Sequence, residues 1–168
     1  MTGRRAARAS LAGALLLTLL ATGCGVRPSD VITGRSATSG PAVGVGLYLL
    51  SHGRLALVIR GTKGITASPE QTLGMLAAGP DEFERSQGLA SEVPVGLVPA
   101  TPVTATADGP GVTVTMTGAV RPLSAVAADQ IICTVADALA LAGQGDSFVP
   151  VTIAGPDGVR PPRSCPIK

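Results

Sequence analysis

The residue types able to do bond chemistry are few and widely spaced in this chain. The single histidine, His52, stands in Ser51-His52-Gly53 between two β-prone runs. A nucleophilic serine would need that imidazole as its base and a carboxylate to orient it, and a turn tip offers no positioned serine, so His52 reads as a turn residue. Asp81, Glu82 and Glu84 are the only dense carboxylate cluster. Such a cluster could act as general acid and base or hold calcium. The same residues open a helical pattern, where anions favour the helix dipole, and capping explains them without a site. The chain has no C-x-x-C, H-E-x-x-H, phosphate-binding loop or dinucleotide fingerprint, and one His beside two pairable cysteines leaves zinc short of ligands. The expectation is a protein that is not an enzyme and carries neither metal nor cofactor.

The remaining chemistry belongs to the cysteines, Cys24, Cys133 and Cys165. Upstream of the first lie a basic start (Arg4, Arg5, Arg8), an apolar run from Leu11 to Leu20 and the small residues Ala21, Thr22 and Gly23. This is the layout of a secretory signal peptide over residues 1–23, with an apolar run about half as long as a membrane-spanning helix requires. Ala21-Thr22-Gly23-Cys24 resembles the bacterial lipobox. The resemblance implies that Cys24 is acylated, becomes the first mature residue and holds the protein on the outer face of the cytoplasmic membrane. Residues 24–44 are rich in Gly, Ser, Thr and Pro and read as a flexible tether with a reach of roughly 25 Å.

Cys133 falls about 200° around a helix from its apolar stripe, beside Asp129 and Asp137, and so is expected to face away from the core. A free thiol there is a liability in an exported protein, and Cys165 in the proline-rich tail is the partner left once Cys24 is lipidated. A Cys133 to Cys165 disulfide is expected, against two free thiols or an intermolecular bridge through Cys165. Closing that loop would stabilise by roughly 3 to 4 kcal/mol in the chain-entropy model.

The formal charge of +2 comes from 13 basic and 11 acidic residues; removing Arg4, Arg5 and Arg8 with the leader leaves 10 against 11, a net of −1. With one Tyr, two Phe and no Trp, the chain lacks both the basicity and the stacking platform of a nucleic-acid binder. Charge is nevertheless segregated. Between Val31 and Pro69 there are four bases (Arg35, Arg54, Arg60, Lys63) and no acid, while Glu70 to Pro94 holds five acids and Arg85 alone. Arg54, Arg60 and Lys63 are therefore expected to form a partner-facing patch, with a second basic region at Arg160, Arg163 and Lys168; charged strand edges that resist aggregation are the alternative.

The elements that must position these residues are clearly punctuated. Val45 to Leu50 and Arg54 to Arg60 form a hairpin. Ser68-Pro69-Glu70-Gln71 caps a helix that Gly79-Pro80 stops, with Leu73, Leu76 and Ala77 inward. Asp81 caps a second, short helix anchored by Phe83. Thr101 to Ala107 and Gly111 to Thr117 form a second hairpin around Asp108-Gly109-Pro110-Gly111, with Val112, Val114 and Met116 on one face. Leu123, Ala127, Ile131, Val135, Leu139 and Ala142 mark a long helix, Phe148 to Ala154 a last strand, and Gly155 to Lys168 a proline-stiffened tail. The order ββααββαβ specifies a two-layer α+β domain with a mixed or antiparallel sheet, spanning residues 45–159 and followed by a tail, 160–168, tied back by the disulfide.

Pro69-Glu70, Leu73, Leu76, Ala78-Gly79-Pro80, Glu84, Gly88-Leu89, Ser91 and Pro94, followed by Gly111-Val112-Thr113-Val114 and by Ala128, Gln130-Ile131 and Thr134, resemble the helix, stop, strand and long helix of the GerMN domain of sporulation and spore-germination proteins. That resemblance implies an α+β interaction module without catalytic residues, working with an envelope protein partner in sporulation, germination or envelope regulation. A lipoprotein that binds a small ligand or wall fragment between sheet and long helix is the alternative, and an envelope hydrolase using Glu82 or Glu84 ranks behind it.

Overall fold

The computed structural model describes residues 44–62, 67–106 and 110–167, all within one unit, Gly40–Lys168. The leader, Cys24, the tether up to residue 43, Lys63, Asp108, Gly109 and Lys168 lie outside the described residues.

The fold is α+β, with two sheets and three helices among the described residues. Strands β1 (Gly44–Ser51) and β2 (Arg54–Gly61) form the expected hairpin, closed by His52 and Gly53, both at positive φ. Such a two-residue turn matches the right-handed strand twist. Helix α1 (Pro69–Ala78) starts on a Ser68–Gln71 capping box and ends at Gly79, which has φ 80°. Helix α2 (Glu82–Ser86) has its own capping box, between Asp81 and Glu84. A two-residue strand, β3 (Leu89–Ala90), joins β1 on the side opposite β2.

The second sheet runs β4 (Thr104–Ala105), β5 (Val112–Thr115), β6 (Val151–Gly155), β7 (Gly158–Arg163). Long helix α3 (Ala125–Leu141) crosses over between β5 and β6, which therefore pair in parallel. The observed order is ββααβββαββ. The two additions to the expected order are β3, too short for a periodic signal, and β7, which replaces most of the expected proline-stiffened tail. Pro161 and Pro162 fit in β7 because it is the terminal strand and because the β6–β7 register shifts where they stand, between Ile153↔Arg160 and Val151↔Arg163.

One core joins the layers. Val45, Leu47 and Leu49 of β1, Leu73 and Leu76 of α1, Val112 and Val114 of β5, Ile153 of β6 and Ala127, Ile131, Val135 and Leu139 of α3 belong to one buried cluster. Helix α3 is enclosed more widely than a single stripe requires, because β1, α1 and β6 all pack on it. Two expectations change as a result. Cys133 is 1% exposed, among core residues and not on a polar face. Ala142, expected in the stripe, is exposed beyond the helix end. In α2 the expected anchor Phe83 is 71% exposed, and the buried residue is Glu84.

Candidate functional site

Of the expected basic patch, the described residues include Arg54 and Arg60, and Arg60 is already engaged within the fold. Arg54 is exposed at the start of β2, and Lys63 lies outside the described residues. Arg60 is turned inward: its Nε donates to Glu84 Oε1 at 3.1 Å, its guanidinium also meets Glu84 Oε2, and Nη2 donates to Gly79 O at 3.3 Å. A carboxylate buried on α2 needs a partner, and the planar fork of Arg60 supplies it. The basic tail is used in the same way. Arg160 donates to the carbonyls of Val120, Arg121 and Leu123, and Arg163 pairs with Asp129 on α3 at 3.1 Å.

Cys133 and Cys165 are joined in a disulfide, with Cα atoms 4.7 Å apart and a sequence separation of 32. The bond lands one helical turn beyond Asp129, so α3 holds the chain end at two successive positions of one flank.

Asp81, Glu82 and Glu84 serve the helix start: Asp81 Oδ1 accepts from Glu84 N and Glu84 Oε2 from Asp81 N, both at 2.8 Å. His52 lies exposed in the hairpin turn, its Nδ1 3.1 Å from Ser51 Oγ. Among the described residues no three His, Cys, Asp or Glu side chains converge as a metal would require, and no helix is long and apolar enough to cross a membrane. An open cleft of about 370 Å³ lies beside Glu92, Pro122 and Ser124. Its polar groups already bond one another, Ser124 Oγ donating to Glu92 and accepting from Ala127 N.

The surface that stands apart is the outer face of the first sheet. Cross-strand register puts Gly46, Tyr48 and Leu50 of β1 opposite Ile59, Leu57 and Leu55 of β2 on this face. Leu57 is 48% and Ile59 51% exposed. Its floor is glycine: a Cβ on Gly44 would stand 2.9 Å from Ile59 Cγ2, and one on Gly46 would stand 2.9 Å from Leu57 Cδ1 and overlap the Asp137 carboxylate. Asp137 reaches this floor from α3, and no hydrogen bond or ion pair meets it among the described residues. Burial pushes its carboxyl above the usual carboxylate range. Burial first, and then the Asp137 charge, push the phenol of Tyr48, the only tyrosine in the chain, upward.

The backbone completes the site. Tyr48 N donates to Thr134 Oγ1 at 3.1 Å, and Gln130 Nε2 donates to Tyr48 O at 2.9 Å. Both polar groups of Tyr48 therefore point away from β2, which makes Tyr48–Leu57 a non-hydrogen-bonded pair. By antiparallel alternation, Leu55, Leu57 and Ile59 turn their N–H and C=O groups to the outer side of β2, which is the terminal strand of its sheet. Sequence reasoning missed this site. An uninterrupted apolar run from Leu55 to Ile59 in a two-stranded signal was the available clue, since a strand covered on only one face normally alternates with polar residues.

No family model, no curated protein and no solved structure matches this chain.

Proposed function

We propose that the protein is an exported lipoprotein, anchored through Cys24 on the outer face of the cytoplasmic membrane, whose folded part is a non-catalytic interaction module of the GerMN type. The reading rests on the order of leader and lipobox, and on the motif from Pro69 to Pro94 with the long helix around Gln130 and Thr134. One observation in the fold supports an interaction role above the others: the half-exposed Leu57 and Ile59 on a terminal strand, beside an unpartnered carboxylate. Soluble domains rarely leave a long apolar strand edge uncharged unless something covers it. The alternative of a ligand held between sheet and long helix finds less support, because Leu47, Leu73 and Ile131 pack together there.

Two measurements on intact cells test the proposal. Cys24→Ser should move the protein from the membrane fraction to the soluble exported fraction. A photocrosslinking residue at Ile59 should give discrete adducts that the same residue at exposed Val95 or Phe83 does not. Equal adducts from all three positions would remove the assignment of this face, and an unchanged membrane fraction would remove the anchor.

A further inference from the structure

The outer face of the first sheet offers three things together. It has outward N–H and C=O groups at Leu55, Leu57 and Ile59, a low apolar surface over Gly44 and Gly46, and one carboxylate, Asp137, that no hydrogen bond or ion pair meets among the described residues. Each constrains an occupant differently. The free ladder groups suit an extended segment, which would satisfy them by adding a strand. The apolar surface suits side chains with hydrocarbon stems, and the unpartnered carboxylate suits a cation at the end of such a stem.

We propose that this face binds an extended segment carrying basic side chains, added as a strand along the outer edge of β2, with its Arg or Lys stems laid over Leu57 and Ile59 toward Asp137. The inference rests on the reading of the fold as an interaction module and names what that module takes. Geometry gives the segment its spacing. Adjacent strands lie about 4.8 Å apart and side chains alternate between faces, so basic residues at every second position would share the Leu57 face. A Lys or Arg stem then has to cross one strand, β2, to approach a carboxylate standing over β1. Tyr48 lies beside that path, and its ring offers a cation a further attractive surface. Bulk charge contributes little: without the leader the chain carries 10 basic and 11 acidic residues, a formal −1, so a strong preference for a cationic segment would have to come from the local site.

The experiment uses the full chain and three labelled ten-residue probes at physiological salt: alternating Thr-Arg, alternating Thr-Glu, and Thr-Arg with backbone N-methylation on one edge. The Thr-Arg probe should bind at least tenfold more tightly than Thr-Glu. N-methylation should remove most of that binding, and Asp137→Asn should reduce the Arg-over-Glu preference at least fivefold. Gly46→Ala, which displaces the Asp137 carboxylate without altering charge, should act like Asp137→Asn. Equal affinity for the Arg and Glu probes overturns the inference, as does a preference that survives both substitutions. A dimer in sedimentation that Leu57→Lys dissociates, with no probe binding to either form, also overturns it by making a second copy the occupant. Crosslinks at Ile59 that persist while the probes bind alike would leave the interaction face standing and remove only its chemistry; loss of both would remove the face as well.

Discussion

Arg60 on β2 and Glu84 on α2 form a two-pronged ion pair whose side chains are 21% and 7% exposed. The pair decides where the positive charge of the first hairpin goes. Glu84 also closes the capping box with Asp81, so one carboxylate starts a helix and docks it to a strand 24 residues upstream.

Breaking this pair should therefore cost more than removing an ordinary surface charge. Arg60→Ala leaves Glu84 buried and short of donors, and we expect a loss of about 2 to 4 kcal/mol. Glu84→Ala should lose a similar amount, and the double substitution much less than the sum of the two. Arg54→Ala, on an exposed residue of the same strand, should stay within about 0.5 kcal/mol of the parent. Denaturant unfolding of the four proteins decides the matter; equal losses at positions 54 and 60 would show that the pair contributes nothing.

The Cys133–Cys165 bond anchors the strand that the proline-rich tail forms. Replacing both cysteines with Ala removes a crosslink across 32 residues and leaves a small void at two buried positions. The loss expected is about 3 to 5 kcal/mol, visible as a lower unfolding midpoint. Alkylation of the folded protein followed by mass measurement should show two additional reactive thiols only after reduction and unfolding.

How much of this was legible before folding depends on the range of the interaction involved. Ser68 with Gln71 and Asp81 with Glu84 specify their helix starts within one turn, and both capping boxes stand where the residues place them. The inward set Val112, Val114 and Met116 is equally local and is buried as expected. Nothing local says that Arg60 meets Glu84, that a strand containing Pro161 and Pro162 pairs with β6, or that Cys133 is buried in the core cluster. Those facts depend on which elements become neighbours. The candidate site falls in this second class, because Asp137 joins Gly46 only after α3 has docked.

Gln130 is 0% exposed and works at three places: its Nε2 donates to Tyr48 O at 2.9 Å and approaches Ser91 Oγ at 3.4 Å, while its Oε1 accepts from Glu92 N at 2.9 Å. It does for the inner edge of β1 what a neighbouring strand would do. Gln130→Leu keeps the volume but strands a buried carbonyl and a backbone N–H, and should cost about 2 to 4 kcal/mol, more than Thr134→Val, which strands one N–H. Amide exchange ahead of global unfolding should accelerate at Glu92 in Gln130→Leu and at Tyr48 in Thr134→Val; unchanged protection at Glu92 in Gln130→Leu would remove the bridging role.

Two carboxylates should give opposite pH signatures. The backbone N–H of Val120 first, with that of Arg121, holds Asp157 below the usual carboxylate range. Its folded state therefore binds protons less readily than its unfolded state. The stability this provides is present above the unfolded value of about 3.9 and is lost as pH falls toward the folded one. Asp137 is raised by burial, so its folded state holds a proton that the unfolded state has released, and stability falls as pH rises from the unfolded value through the folded one. Asp157→Asn should accordingly flatten the acid limb of the stability profile and weaken the protein at neutral pH. Asp137→Asn should strengthen it at neutral pH and make little difference below about pH 3, where both states carry a proton on that group. If Asp137→Asn weakens the protein at neutral pH, its carboxylate has a favourable partner in the fold, and the site on β1 and β2 loses the unpaired charge on which a basic segment would depend.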